Sequence, residues 1–178
     1  HSIVFEAGLL LKPAATFMIG IGFGLKPDVQ RVGDIMVSQT LATYDPQRIG
    51  TAHSNNLGVV TCSGSHLSSL FKAADIHDWE FGSSKVHRGL LLSGSKLVDN
   101  IGFAMELKQR YPEAVGGETE GDGVYHACRA SSQEWIVVKG ISHFAGLSSG
   151  KDETTEEVQA SATAAAKSLW WTAVKGIS

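Results

Sequence analysis

The sequence predicts a single α/β domain in which helices cover a central β-sheet. Short apolar runs typical of buried strands alternate along the chain with amphipathic stretches typical of helices. Strands that are apolar on both faces and separated by helices favour a mostly parallel sheet covered on both sides. The 178 residues, 43% hydrophobic and 19% charged, suffice for one substantial core but not for two. We therefore treat residues 1–178 as one domain.

The first half of the chain contains three predicted strands and one predicted helix. Apolar side chains at i, i+3, i+4 and i+7, counted from Leu67, predict the helix. A Gly33-Asp34 turn precedes the second strand, and Gly94 ends the third. The predicted elements are strands at residues 15–21, 34–41 and 86–93 and a helix at residues 66–79.

The second half repeats the alternation. Asp99 is available to cap one helix, which Pro112 stops, and Asp122 is available to cap the next. A Thr154-x-x-Glu157 capping box predicts the start of the closing helix. The predicted elements are helices at residues 100–110 and 122–130, strands at 114–118 and 135–141, and a closing helix that Gly176 ends.

The first residues indicate that the chain is part of a longer protein. Residues 1–11 have the spacing of a helix tail, and no initiating methionine precedes them. We expect the domain to lack its first strand or strands.

Charge and composition exclude several kinds of partner. A net charge of −3, without any run of Lys or Arg, argues against nucleic acid. No apolar run is long enough to cross a bilayer, so no membrane partner is expected. Cys62 and Cys128 lie far apart without CxxC spacing, which suits a reducing compartment and two buried thiols. We expect a cytoplasmic protein.

Several common catalytic motifs are absent. Leu25 stands where a dinucleotide-binding loop needs its third glycine, and the Gly94-Ser95-Lys96 triplet lacks the rest of a P-loop. The seven histidines show no metal-ligand spacing, and no GxSxG elbow occurs. We expect no metal and no bound cofactor.

Two carboxylates and an imidazole follow successive predicted strands. Glu118 and Glu120 end one apolar run, and His143 ends the next. Because ligands bind at the ends of adjacent strands in open α/β sheets, we expect these three side chains to face one small molecule.

The order of short motifs resembles the nucleoside phosphorylase and nucleosidase superfamily, which includes purine nucleoside phosphorylases and methylthioadenosine/S-adenosylhomocysteine nucleosidases. The motifs are GIGFGL (20–25), VGDIMVS (32–38), LSG (92–94), YPEA (111–114), GETEG (117–121) and KGIS (139–142). The resemblance implies a three-layer α/β/α sandwich with a mixed, partly barrel-like central sheet. It also implies cleavage of the N-glycosidic bond of a small-molecule nucleoside.

The resemblance assigns three residues to the ribose. Glu120 matches the carboxylate that accepts hydrogen bonds from the ribose hydroxyls, and one carboxylate can accept from both hydroxyls of a vicinal diol. Glu118 matches a position near the sugar. Thr119 replaces the methionine commonly packed under the ribose.

Four further residues match positions near the base. Leu97 and Val98 match the segment that lines the base, and Gly22 and Phe23 match the glycine-rich turn beneath it. The glycines would equally serve tight packing, and Phe23, Leu97 and Val98 would equally serve as core residues.

Two departures from the superfamily concern the chemistry. His143 stands where active enzymes place the aspartate that protonates the purine, and an imidazolium can also deliver a proton. Ile21 replaces a hydroxyl that helps to hold phosphate or water. The opening strand with its phosphate loop precedes His1, so phosphate stays open as a co-substrate beside water.

The resemblance leaves two functions open. One is an enzyme that cleaves a purine nucleoside; the other is a nucleoside-binding or sensing module, impaired in catalysis, of a larger signalling or defence protein. The superfamily commonly forms dimers, trimers and hexamers, which allows a homo-oligomer, and the residues leave the oligomeric state open.

Overall fold

A computed structural model of the chain describes residues 11, 13–44, 60–77, 84–94, 98, 100–146 and 156–175. Its strands are β1 (Ala15–Gly24), β2 (Ile35–Thr43), β3 (Val60–Cys62), β4 (Val86–Ser93), β5 (Gly116–Glu118) and β6 (Glu134–Phe144). Its helices are α1 (Ser65–His77), α2 (Ile101–Arg110), α3 (Gly121–Ala130) and α4 (Glu156–Lys175).

The central sheet closes on itself. Its strand order is β3-β2-β4-β5-β1-β6, and β6 pairs back onto β2, so that five strands form a ring and β3 lies outside it on β2. The prediction of an α/β fold with a mixed, partly barrel-like sheet is confirmed.

The expectation of a mostly parallel sheet holds for the two longest pairings, although half of the strand pairs are antiparallel. The pairs β1–β6, β2–β4 and β4–β5 are parallel, whereas β1–β5, β2–β3 and β2–β6 are antiparallel. An apolar run buried on both faces has the same pattern whichever way its neighbours run. Periodicity therefore reveals the strand but not its direction.

Alternate side chains of the ring strands pack against helices on opposite faces. On β4, Leu90 and Leu92 join a cluster with α2, while Leu91 joins a cluster with α3. On β6, Ile136 and Val138 pack with α1 and α4, and the neighbouring Val137 packs on the α3 side. Helices therefore cover both faces, as the two-sided apolar pattern predicts.

Some element ends differ from those predicted. The side chain of Asn100 caps α2, its Oδ1 accepting from the amide of Phe103 at 3.1 Å, whereas Asp99 lies outside the described residues. The predicted helix tail at residues 1–11, apart from Leu11, and the capping box at Thr154 also lie outside them. β6 runs three residues beyond the predicted 141, because its pairing with β1 continues to Phe144 after a bulge.

Glycines let β1 and β5 approach closely. A Cβ added to Gly117 would overlap the ring of Phe23, and one added to Gly116 would overlap Met36 and the Phe23 carbonyl. A Cβ added to Gly22 would lie 2.5 Å from the Gly117 carbonyl. The approach sets the position of Glu118, which is the last residue of β5.

Asp34 connects the turn before β2 with β4 and β6, and its backbone carbonyl accepts from the amide of Ile141 on β6 at 2.8 Å. Its buried carboxylate accepts from the amides of Arg31 at 3.0 Å and Lys85 at 2.9 Å, and His87 Nε2 donates to it at 2.7 Å. It thereby ties the turn before β2 to the start of β4.

We expect Asp34→Ala to lower the free energy of unfolding by about 3 kcal/mol, because buried donors lose their acceptor. Urea denaturation followed by circular dichroism measures the loss. The matched control is Asp28→Ala on the exposed turn, which should stay within about 0.5 kcal/mol of wild type. Equal losses in the two variants would contradict this role of Asp34.

Candidate functional site

The predicted site residues lie at one end of the ring strands. Glu118 pairs in register with Ser93 on β4, and Phe23 on β1 pairs with both Gly117 and His143. The strands carrying the glutamates and the histidine are therefore not adjacent, because β1 lies between them. The register partners Gly117, Phe23 and His143 on β5, β1 and β6 connect the glutamates with the histidine.

Glu118 is buried and holds the start of α3. Its Oε2 accepts from the amides of Glu120 at 2.8 Å and Gly121 at 2.9 Å, and its Oε1 accepts from Gly121 at 2.9 Å. Ser93 Oγ accepts from the next amide, that of Asp122, at 2.9 Å. The first amides of α3, which lack partners inside the helix, are thus satisfied by side chains from the sheet.

Asp122 does not cap α3, contrary to prediction. It lies inside the first turn, and its carboxylate accepts from the Thr43 hydroxyl at 3.0 Å. The capping role falls to Glu118, three positions before the first helical residue. Local spacing did not reveal it, because the chain must bend at residues 119–120 for that carboxylate to reach the helix.

Lys139 completes the site, and the sequence patterns missed it. Its side chain is 1% exposed, and its Nζ lies 2.8 Å from Glu120 Oε2 and 3.4 Å from Glu118 Oε2. The pattern of residues 135–141 predicts a strand that is apolar on both faces. A single lysine in such a strand is itself a signal, since lysine is almost never fully buried unless it is paired.

Glu120 presents its carboxylate to solvent. Its side chain is 62% exposed, and one oxygen accepts from Lys139. Among the described residues, no hydrogen bond reaches the other oxygen. Thr119 beside it is exposed. Of the two glutamates, Glu120 is therefore the one that a ligand can reach. Glu118 contacts the lysine that holds Glu120.

His143 is half-buried and linked to Ser142. Its Nδ1 lies 3.0 Å from Ser142 Oγ, and the same hydroxyl donates to the Gly22 carbonyl at 3.2 Å. A carbonyl only accepts, so satisfying both contacts requires Nδ1 to carry a proton and donate to Oγ. The neutral ring then has a lone pair on Nε2, and only the imidazolium can donate from that atom.

The residues predicted near the base are largely buried. Phe23 and Val98 are each 1% exposed in the cluster that packs with α2, and Phe23 has its ring centroid 6.3 Å from that of His143. Gly22 is buried against Gly117. The Val98 carbonyl accepts from Gly146 at 3.1 Å. Leu97 lies outside the described residues, and the base-binding roles stay predictions.

The described part of the chain contains neither a cluster of metal ligands nor, at Cys128, a reactive thiol. No cluster of three or more His, Cys, Asp or Glu side chains there is arranged to hold a metal ion. Burial raises the pKa of the Cys128 thiol, and a hydrogen bond with Thr16 lowers it by less, so the thiol stays protonated. None of the described helices is long and apolar enough to span a membrane.

Solved structures share this architecture. A methylthioadenosine/S-adenosylhomocysteine nucleosidase from Neisseria meningitidis, in complex with methylthio-immucillin-A, superposes with a TM-score of 0.80 at 19% identity, over 97% of this chain and 74% of that one. This chain has the nucleosidase fold. Futalosine hydrolase of Helicobacter pylori gives a TM-score of 0.74 at 15% identity, over 98% and 73% of the two chains.

A curated relative resembles the chain in sequence as well. The death domain-containing ATP nucleosidase of Amphimedon queenslandica is 28% identical over 156 aligned positions, which cover 76% of this chain and 29% of that protein. The chain thus spans less than a third of that relative's length. No protein-family model matches the chain. The fold that the motifs predicted is confirmed by the solved structures.

We expect the two glutamates to differ sharply in their effect on stability. Glu118→Gln should lower the free energy of unfolding by about 3 kcal/mol, because it removes a buried charge that balances the ammonium. Glu120→Gln should cost less than about 1 kcal/mol, because that carboxylate is mostly exposed. Urea denaturation of the matched pair tests this, and the reverse order would refute the assignment.

Proposed function

We propose that this domain binds a purine nucleoside or a related metabolite through Glu120 and cleaves its N-glycosidic bond. The observation that carries the proposal is the solvent-facing Glu120 carboxylate, held by the buried Lys139 at the start of α3. The nucleosidase fold and the ATP nucleosidase relative support the same reaction class.

The Glu120 carboxylate has two roles in the proposed cleavage. It accepts hydrogen bonds from the two ribose hydroxyls, which orients the sugar. Its negative charge also favours the oxocarbenium character that develops at the anomeric carbon as the bond to the base breaks. The electron pair of that bond leaves with the base, and an oxygen of water or of phosphate forms the new bond. No other cofactor is needed.

His143 is the residue that would protonate the departing purine. With Nδ1 donating to Ser142, Nε2 delivers a proton only when the ring is doubly protonated. An aspartic acid at the same place is not tied to a tautomer in this way. We therefore infer that cleavage is slower here than with a carboxylic acid.

The residues at positions 143 and 21 favour a second function. His143 and Ile21 both depart from the residues that active enzymes carry, while the ribose carboxylate is retained. The chain would then be a nucleoside-binding module of a larger protein, and the relative's death domain fits such a fusion. In either case we propose a cytoplasmic, homo-oligomeric protein.

The two functions are separated by product analysis. The chain, with and without phosphate, is incubated with ATP, adenosine, inosine and methylthioadenosine, and free base is measured by chromatography. Release that disappears in Glu120→Ala supports the enzyme. No release above that control, together with thermal stabilisation by a nucleoside, supports the binding module. Release that survives Glu120→Ala would refute the ribose assignment.

We expect His143→Asp to raise the rate of base release at neutral pH by about tenfold or more, within the range typical of general acids. A general acid must carry the proton that it delivers, so the wild-type rate should fall as the pH rises from 6 to 8 and the imidazolium is lost. Initial rates across that range measure both effects. His143→Asn, which cannot supply the proton, is the control; equal rates in all three proteins would remove His143 from the mechanism.

A further inference from the structure

We propose that Lys139 is the positioning residue that makes this site select ribose over 2′-deoxyribose. The inference rests on the proposed role of Glu120 as the sugar-binding carboxylate. Lys139 acts through Glu120 rather than on the reacting atoms.

The orientation of Glu120 is transmitted through a chain of contacts that starts at the backbone. The amides of Glu120 and Gly121 hold the Glu118 carboxylate, whose side chain is fully buried. That carboxylate lies 3.4 Å from the Lys139 ammonium, which in turn donates to Glu120 at 2.8 Å. The buried Glu118 and Lys139 side chains have little freedom to move. The exposed Glu120 carboxylate that Lys139 holds therefore has a defined orientation.

The position of Lys139 on its strand explains why the ammonium reaches this point. Lys139 lies on the same face of β6 as Trp135 and Val137, which pack with α3. It pairs in register with Gly20 on β1, and a Cβ added to Gly20 would lie 3.1 Å from Nζ and 3.6 Å from Cδ. Gly20 thus leaves the space through which the lysine side chain passes.

An exposed glutamate without a partner such as the Lys139 ammonium would sample several rotamers. Binding of a ligand would then cost the conformational entropy of those rotamers. With one oxygen held by Lys139, the remaining acceptor sites of the carboxylate stay directed at the vicinal hydroxyls. A site organised to hydrogen-bond a hydroxyl strongly rejects the analogue that lacks it. Loosening Glu120 should therefore weaken binding of the ribose form more than that of the deoxy form.

The experiment compares adenosine with 2′-deoxyadenosine in full-chain wild type, Lys139→Met, Gly20→Ala and the exposed control Lys167→Met. The preference is the ratio of the kcat/KM values where cleavage occurs, and of the dissociation constants otherwise. We expect wild type and Lys167→Met to share one preference for the ribose form. Lys139→Met should reduce it about tenfold, in line with the loss of an oriented hydrogen bond to a charged group. Gly20→Ala, which displaces the ammonium without removing it, should give an intermediate value.

Circular dichroism and thermal unfolding establish that each variant is folded. If folded Lys139→Met keeps the wild-type preference, the positioning role is refuted. If Lys139→Met does not fold, Gly20→Ala decides, and an unchanged preference in that variant refutes the role equally. Wild type that binds adenosine without any preference for ribose also overturns the inference, whereas wild type that binds neither nucleoside overturns the proposed function itself.

Discussion

The buried carboxylate of Glu118 is the group on which the rest of the site depends. It satisfies amides at the start of α3 and at the same time balances the ammonium of Lys139. Either group alone would be costly to bury, since an unpaired charge or amide loses its hydration without compensation. Together they join β5, β6 and α3 at one point, and Glu120 projects from that point into solvent.

This arrangement requires an unusually close approach between strands. Gly22, Gly116 and Gly117 remove the side chains that would hold β1 and β5 apart, and the ring of Phe23 fills the space above Gly117. β1 pairs with β5 on one side and with β6 on the other, so the strand of Lys139 lies one strand away from the short β5. The glycine-rich motif thus serves packing, whatever contact it also makes with a ligand.

The proposed sugar side and the proposed base side of the site are built differently. On the side proposed for the sugar, the exposed Glu120 carboxylate is held by the buried Lys139 ammonium, which Glu118 balances. On the base side, His143 is tied to Ser142, and Phe23 and Val98 belong to the core. Binding of a ribose and protonation of a purine are separate physical tasks, so the groups proposed for the two can change independently.

The sequence by itself determined the element types, the α/β class and the identity of Glu120 as the candidate sugar carboxylate. Local spacing and motif order contain that information, because burial period and glycine placement are properties of neighbouring residues. Only the tertiary structure decided which strands pair and in which direction, that Glu118 caps α3, and that Lys139 binds both glutamates. Strand direction and a contact between residues 139 and 120 depend on how distant segments pair, and no local pattern records that pairing.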